Sequence, residues 1–276
     1  MDLFVRESGP VDAPAIVFLH GGLMSGWTWA PVVERLPRYR CLVPDLPQYG
    51  KSVDLGPFEM ARAADAVAEL IRTRTSTGRA HVVGFSLGAQ VGLQLLATQP
   101  QTVDRAVFTS TFVNTMPAVH LARRLAGLFA RTTVFRWALI SRYWDAHDAA
   151  QNEGYRRDAR LNSGRQFAHI AVASAGFTVP LGLEKAFAPA LFVTGDKELR
   201  LLRRWAAVLT RSMPNAVDRL AAGMGHNWPL RNPDLFSHVV DAWLTQTALP
   251  AEIGPASPQQ PVGDYAGSRT GRPAAR

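Results

Sequence analysis

Cysteine is almost missing from this chain. Cys41 stands alone among 276 residues, so no disulfide can form within the molecule. It lies in an apolar strand-like run, which favours a small buried hydrophobe over a reactive thiol. No Cys/His cluster has zinc spacing and no Gly-x-Gly-x-x-Gly opens a helix, so neither a metal nor a cofactor is expected. Gly50-Lys51-Ser52 ends like a phosphate-binding loop, but the position that needs the first glycine holds Asp45. That pattern fails. No apolar run reaches bilayer length, so no transmembrane segment is expected. Met1 to Pro10, carrying Asp2, Arg6 and Glu7, lacks the apolar stretch of a signal peptide, and a cytoplasmic location is expected. No internal repeat is visible.

Charge is in excess but not in blocks. The net +8 comes from dispersed arginines, among them Arg123, Arg124, Arg131, Arg136, Arg142, Arg156, Arg157, Arg160 and Arg165. No nucleic-acid motif or aromatic platform accompanies them, so no nucleic-acid partner is expected. Solvated helix faces explain them best. Attraction to an anionic substrate, an acyl-carrier partner or a membrane surface is the competing use.

What is present is a large apolar fraction, 47%, in alternating strand-like and helix-like runs. Strands are predicted at Leu3–Arg6, Ala15–Leu19, Cys41–Val43, His81–Val83, Ala106–Thr109, Ala190–Thr194 and Ala216–Leu220. Helices are predicted at Trp29–Leu36, Phe58–Thr73, Leu87–Thr98, Leu199–Ser212 and Pro233–Thr247. In the second of these, Ala64, Val67, Leu70 and Ile71 repeat at the spacing of one helical face. Such alternation predicts an α/β fold, a mostly parallel central sheet covered by helices on both faces. The short N-terminus leaves room for only one strand before the one that runs into His20, so a full first hairpin is not expected. Between Asn114 and Pro180 the alternation gives way to long helical patterns, Met116–Ala130 and Thr133–Trp144. From Pro250 onward, Pro, Gly, Ala, Gln and Arg dominate without periodicity, the composition of a disordered tail.

Gly84-Phe85-Ser86-Leu87-Gly88 carries the most chemistry. A bare Gly-x-Ser-x-Gly arises by chance in roughly one chain in ten of this length, so context decides. Here it follows the apolar strand His81-Val82-Val83 and opens a helix, which reads as a nucleophile elbow. Three further landmarks surround it. Ala15 to Leu19 ends in His20-Gly21-Gly22. Val43-Pro44-Asp45 leads to Gly50-Lys51-Ser52, with Gln48 and Tyr49 where a glycine and a His or Phe are usual. Gly223-Met224-Gly225-His226 precedes Asn227, Trp228 and Pro229.

In this order, from Phe4 to Leu249, the chain resembles the α/β-hydrolase family, in its serine-nucleophile branch with a helical cap. The resemblance implies a core of residues 1–113 and 181–249, a cap inserted at 114–180, and a disordered tail at 250–276. Trp137, Tyr143, Trp144, Phe129 and Phe167 would then roof a mainly apolar small-molecule pocket or pack between cap helices. Trp27 and Trp29 would line the acyl side of the pocket or serve the core.

A serine hydroxyl needs a base to take its proton, and histidine does so best near neutrality. Of seven histidines, His226 follows the last strand on an exposed turn and is the candidate. His20 is expected to hold the oxyanion turn by a structural hydrogen bond, and Asp45 to be a structural turn residue. The histidine needs an orienting carboxylate, and Gly195-Asp196-Lys197-Glu198 offers two. By position in the family Glu198 is favoured, while Asp196 is the commoner residue type in that role. The oxyanion hole is expected from the backbone N–H of Leu87 and of Gly22, with Leu23 as the lesser alternative to Gly22. These residues imply a serine hydrolase acting on an ester, thioester or lactone through an acyl-enzyme. Carbon–carbon bond hydrolysis, a lyase or cyclase reaction, and ligand binding without turnover remain alternatives on the same scaffold.

Overall fold

The strands Ala15–Leu19 and Ala190–Gly195 are buried at every position because both faces of the sheet are covered there. The computed structural model describes residues 2–113, 149–161 and 163–256. Among them, one sheet is built from β1 (Val5–Ser8), β2 (Ala15–Leu19), β3 (Arg40–Pro44), β4 (Ala80–Phe85), β5 (Val103–Thr109), β6 (Ala190–Gly195), β7 (Ala216–Ala221) and β8 (Ile253–Pro255). The helices are α1 (Ala30–Val33), α2 (Met60–Arg74), α3 (Leu87–Thr98), α4 (Ala149–Leu161), α5 (Gly164–Ala175), α6 (Arg200–Ser212), α7 (Trp228–Arg231) and α8 (Pro233–Thr245). Side chains of successive strand residues point to opposite faces. Val17 and Leu19 of β2 join Phe108 and Phe192 in one buried cluster with α2 and α3. Ile16 and Phe18 join Phe85, Leu191 and Phe236 in another, with α8. Trp29 lies in that second cluster, stacked on Phe236 and tilted on Phe18. It serves the core.

The sheet order is β1-β3-β2-β4-β5-β6-β7-β8, parallel from β3 through β7 with an antiparallel strand at each edge. β1 pairs with β3 rather than β2, so no hairpin opens the sheet. Strand order reverses beside β2, where β3 lies on one side and β4 on the other. In open parallel sheets the ligand crevice forms at such a reversal, outside the strands' carboxyl ends. The registers Leu19↔Gly84, Phe85↔Thr109, Thr109↔Val193 and Gly195↔Ala221 bring five strand ends to one rim.

The other edge departs from expectation. The chain does not leave the fold at Pro250: β8 pairs with β7 through Ala221↔Ile253, and Ile253 is buried. One buried isoleucine and an edge position suffice, because glycine and proline are tolerated on an edge strand that lacks an outer neighbour. Residues 257–276 lie outside the described residues. So do both predicted cap helices, Met116–Ala130 and Thr133–Trp144, with Phe129, Trp137, Tyr143 and Trp144. Within the span 114–180, the described residues form α4 and α5. Phe167 of α5 is buried and packs with Ala168 against Leu23.

One smaller expectation holds. Cys41 is buried, and burial pushes its thiol up to about 12, so it stays a neutral hydrophobe. Among the described residues no helix is long and apolar enough to cross a membrane.

Candidate active site

Ser86 sits between β4 and α3 with φ 52° and ψ −111°, a region costly for any residue with a Cβ. The turn is held from both sides: the Ser86 N–H donates to Thr109 O, and its carbonyl accepts the Gln90 N–H. Glycine is required on each flank. A Cβ on Gly84 would lie 2.8 Å from the backbone of Ala89, and one on Gly88 would lie 2.1 Å from Leu19 O. The Leu87 N–H is the first amide of α3 and has no carbonyl acceptor among the described residues. An amide in that position suits a developing negative charge.

The facing loop leaves β2. His20 is fully buried; its Nδ1–H donates to Gly21 O at 2.8 Å and its Nε2 accepts the Leu46 N–H at 2.9 Å. It therefore ties the loop to the end of β3, the structural role expected. Burial lowers its pKa from 6.5 to about 4, so it is neutral near pH 7. The unfolded chain binds this proton below about pH 6.5 while the folded one resists it until about pH 4. Stability is thus lost as pH falls through that window, by about 3 kcal/mol. Urea titrations at pH 7, 5.5 and 4 should show the loss, and His20→Asn should flatten it. An equally steep variant would assign the loss elsewhere.

Further along the same loop, Gly26 is held by Asp45, the residue after β3, which accepts the Gly26 N–H at 2.7 Å and an Arg6 N–H at 2.6 Å through Oδ1. Its Oδ2 accepts the Lys51 N–H at 2.8 Å. Asp45 is a fully buried turn residue. Gly22 and Leu23 lie between these anchors, and Leu23 is itself held at φ 68°.

Of the two carboxylates after β6, the structure brings Glu198 to the histidine. The His226 Nδ1–H donates to Glu198 Oε2 at 2.8 Å. Glu198 Oε1 accepts the Gly195 N–H at 2.8 Å and the Ser110 hydroxyl at 2.9 Å. The Glu198 side chain is 1% exposed and that of His226 is 35% exposed. A buried carboxylate with three donors is held in one orientation. Because it donates to this carboxylate at Nδ1, the imidazole carries its proton there and presents Nε2 as an acceptor. Asp196 makes no hydrogen bond to His226. Its backbone N–H donates to Ala221 O and its carbonyl accepts from Arg203, while Oδ1 is buried without a hydrogen-bond partner. The His226 ring packs on Phe85, the neighbour of Ser86, with centroids 5.2 Å apart.

Two residues at the end of β5 escaped the sequence reading. Ser110, held at φ 54°, donates to Glu198 and lies 3.1 Å from His226 O. Thr109 Oγ1 accepts the Trp228 indole N–H at 2.7 Å. One strand end thereby holds both the acid and the loop carrying the histidine. The only signal was a hydroxyl pair closing an apolar strand, which strand ends show too often to single out.

Among the described residues, no group of three or more His, Cys, Asp or Glu is placed to hold a metal ion. Comparisons with known proteins agree with the fold. An AB hydrolase superfamily protein of Gibberella zeae is 27% identical over 258 residues, covering 90% of this chain and 86% of that protein. A pimeloyl-[acyl-carrier protein] methyl ester esterase of Yersinia enterocolitica is 26% identical, covering 84% and 93%. Among solved structures, an enol-lactonase from Burkholderia xenovorans superposes with TM-score 0.72 at 22% identity, covering 88% and 96%. A family profile described as the alpha/beta hydrolase fold matches residues 14–233. With that match spanning most of the chain, on a sheet that gathers these strand ends, the protein belongs to the alpha/beta hydrolase fold family and is an enzyme of hydrolase type.

Proposed function

We propose that the chain is a serine hydrolase that cleaves an ester, thioester or lactone of a mainly apolar small molecule through an acyl-enzyme. The observation that carries this reading is the backbone of Ser86. A serine is held in a strained turn at the start of α3, with the His226 ring against its neighbour Phe85. A fold keeps such strain where the exposed group is used.

In the proposed cycle, Ser86 Oγ attacks the acyl carbon as His226 Nε2 takes the hydroxyl proton. Glu198 holds the imidazole and balances the imidazolium charge. The oxyanion receives the Leu87 N–H and that of Gly22 or Leu23; one such donor is worth about 2.7–4 kcal/mol. Collapse breaks the bond to the leaving group, which takes the proton from His226. Water, deprotonated by His226, then attacks the acyl-enzyme and releases the acid, and Ser86 recovers its proton. The relatives named as an esterase and an enol-lactonase support this substrate class.

A fluorophosphonate probe tests the reading. Rapid labelling is expected, located to Ser86 by peptide mass spectrometry and lost in His226→Ala. Intact turnover in Ser86→Ala would point instead to His226 acting as a base without a covalent intermediate. Ligand binding with neither labelling nor turnover would make the protein a binder.

A further inference from the structure

Trp27 stands five residues beyond Gly22, in a single 3₁₀ turn, Gly26–Trp29, that closes the proposed oxyanion loop. From the sheet side that loop is anchored by His20 and Asp45. From the other side it meets α4, and the meeting is close. A Cβ on Gly154 would lie 2.5 Å from the Trp27 ring, so the indole lies directly on the helix backbone. The Tyr155 ring meets Trp27 edge-on, with centroids 5.1 Å apart. One turn further, Asp158 Oδ2 accepts the Trp27 indole N–H at 2.7 Å. Gly154, Tyr155 and Asp158 share one face of α4.

A carboxylate here needs a reason. The Asp158 side chain is 3% exposed, with Arg157 Nε at 3.7 Å from Oδ1. Oδ1 has no hydrogen-bond partner, and neither has the buried Ser25 hydroxyl two residues before Trp27. Burial pushes the Asp158 pKa up, against the opposing pull of Trp27 and Arg157. An apolar residue would fill this place at less cost. What the carboxylate adds is direction: it fixes the indole, and through it the turn that ends the loop.

We infer that Asp158 is a positioning residue, which ties α4 to the loop of Gly22 and Leu23 so that the oxyanion donors are set only when α4 is seated. The inference rests on the serine-hydrolase reading of that loop. No local motif marks the pair, since Asp158 and Trp27 are 131 positions apart.

The experiment compares Asp158→Leu, Asp158→Asn and Trp27→Phe with the wild type, using a p-nitrophenyl ester of a short acyl chain. Asp158→Leu and Trp27→Phe should each lower kcat by about ten- to hundredfold, the range for a slightly misplaced site, with KM little changed. The double variant should be no worse than either single one. Asn keeps an acceptor for the indole and should recover most of the loss. Hydrogen–deuterium exchange supplies a readout independent of turnover. In Asp158→Leu, peptides covering residues 20–29 should exchange faster while those covering 223–229 stay as in the wild type. Unchanged kcat with unchanged exchange in a folded Asp158→Leu would overturn the tether, leaving Ser86 labelling intact. Absence of Ser86 labelling in the wild type would instead overturn the catalytic role given to this loop, and exchange would still decide whether Asp158 holds it.

Discussion

His226→Ala is expected to lower kcat by about 10⁶-fold and Glu198→Gln by about 10⁴-fold, whereas Asp196→Asn should stay near the wild-type rate. The contrast between the two acids follows from the donors around Glu198. In the Gln variant, the Gly195 N–H and the Ser110 hydroxyl still point at the Oε1 position, and they select the amide oxygen there. The amide NH₂ must then face His226 Nδ1, which can only accept from it. The imidazole proton moves to Nε2, where the lone pair for Ser86 is needed. The site would look intact and yet hold the wrong tautomer. Asp196→Asn changes no hydrogen bond of His226. Steady-state kinetics on the three variants, with circular dichroism to confirm folding, measures this directly. Equal mild losses in Glu198→Gln and Asp196→Asn would remove both from the mechanism.

The parts of this site visible in the sequence are those encoded locally. The elbow announces itself because Gly84 and Gly88 are needed within four residues of each other, and β2 and α3 begin and end as the pattern predicts. The choice between Asp196 and Glu198 was not local. If the chain after β6 stayed extended, both side chains would point the same way. Instead the Glu198 N–H bonds to Gly195 O, which curls the segment into a turn and sends the two carboxylates to different neighbours. Ser110, Thr109 and Asp158 were out of reach for a related reason. Each acts through a partner more than 80 positions away, and no periodicity marks a side chain whose role is set by a single distant atom. β8 was hidden by composition: its glycine and proline are unusual in a strand, and only its edge position permits them.

Gly88→Ala is the substitution that should damage both stability and activity. Its new Cβ would fall 2.1 Å from Leu19 O, 2.4 Å from Leu19 C and 2.7 Å from His20 O. All three are backbone atoms at the end of β2, so no rotamer change relieves the clash. Either α3 rises from the sheet or the β2 end is pushed away. A loss of about 3 kcal/mol or more is expected, at the upper end for overpacking, read as a lower urea midpoint with unchanged slope. Gly254→Ala provides the comparison, since its Cβ meets no heavy atom within 4 Å, and it should be near neutral. The catalytic consequence follows from where the clash sits. Leu87 precedes Gly88 on α3, and Gly22 follows Leu19 and His20 on the displaced strand end. The contact of Gly88 with β2 therefore sets the separation of the two proposed oxyanion donors. Variant protein that remains folded should show a depressed kcat with KM little altered, the sign of an interaction made mainly in the transition state. A folded Gly88→Ala enzyme with wild-type midpoint and wild-type kcat would mean that the helix and the strand end do not meet in this way.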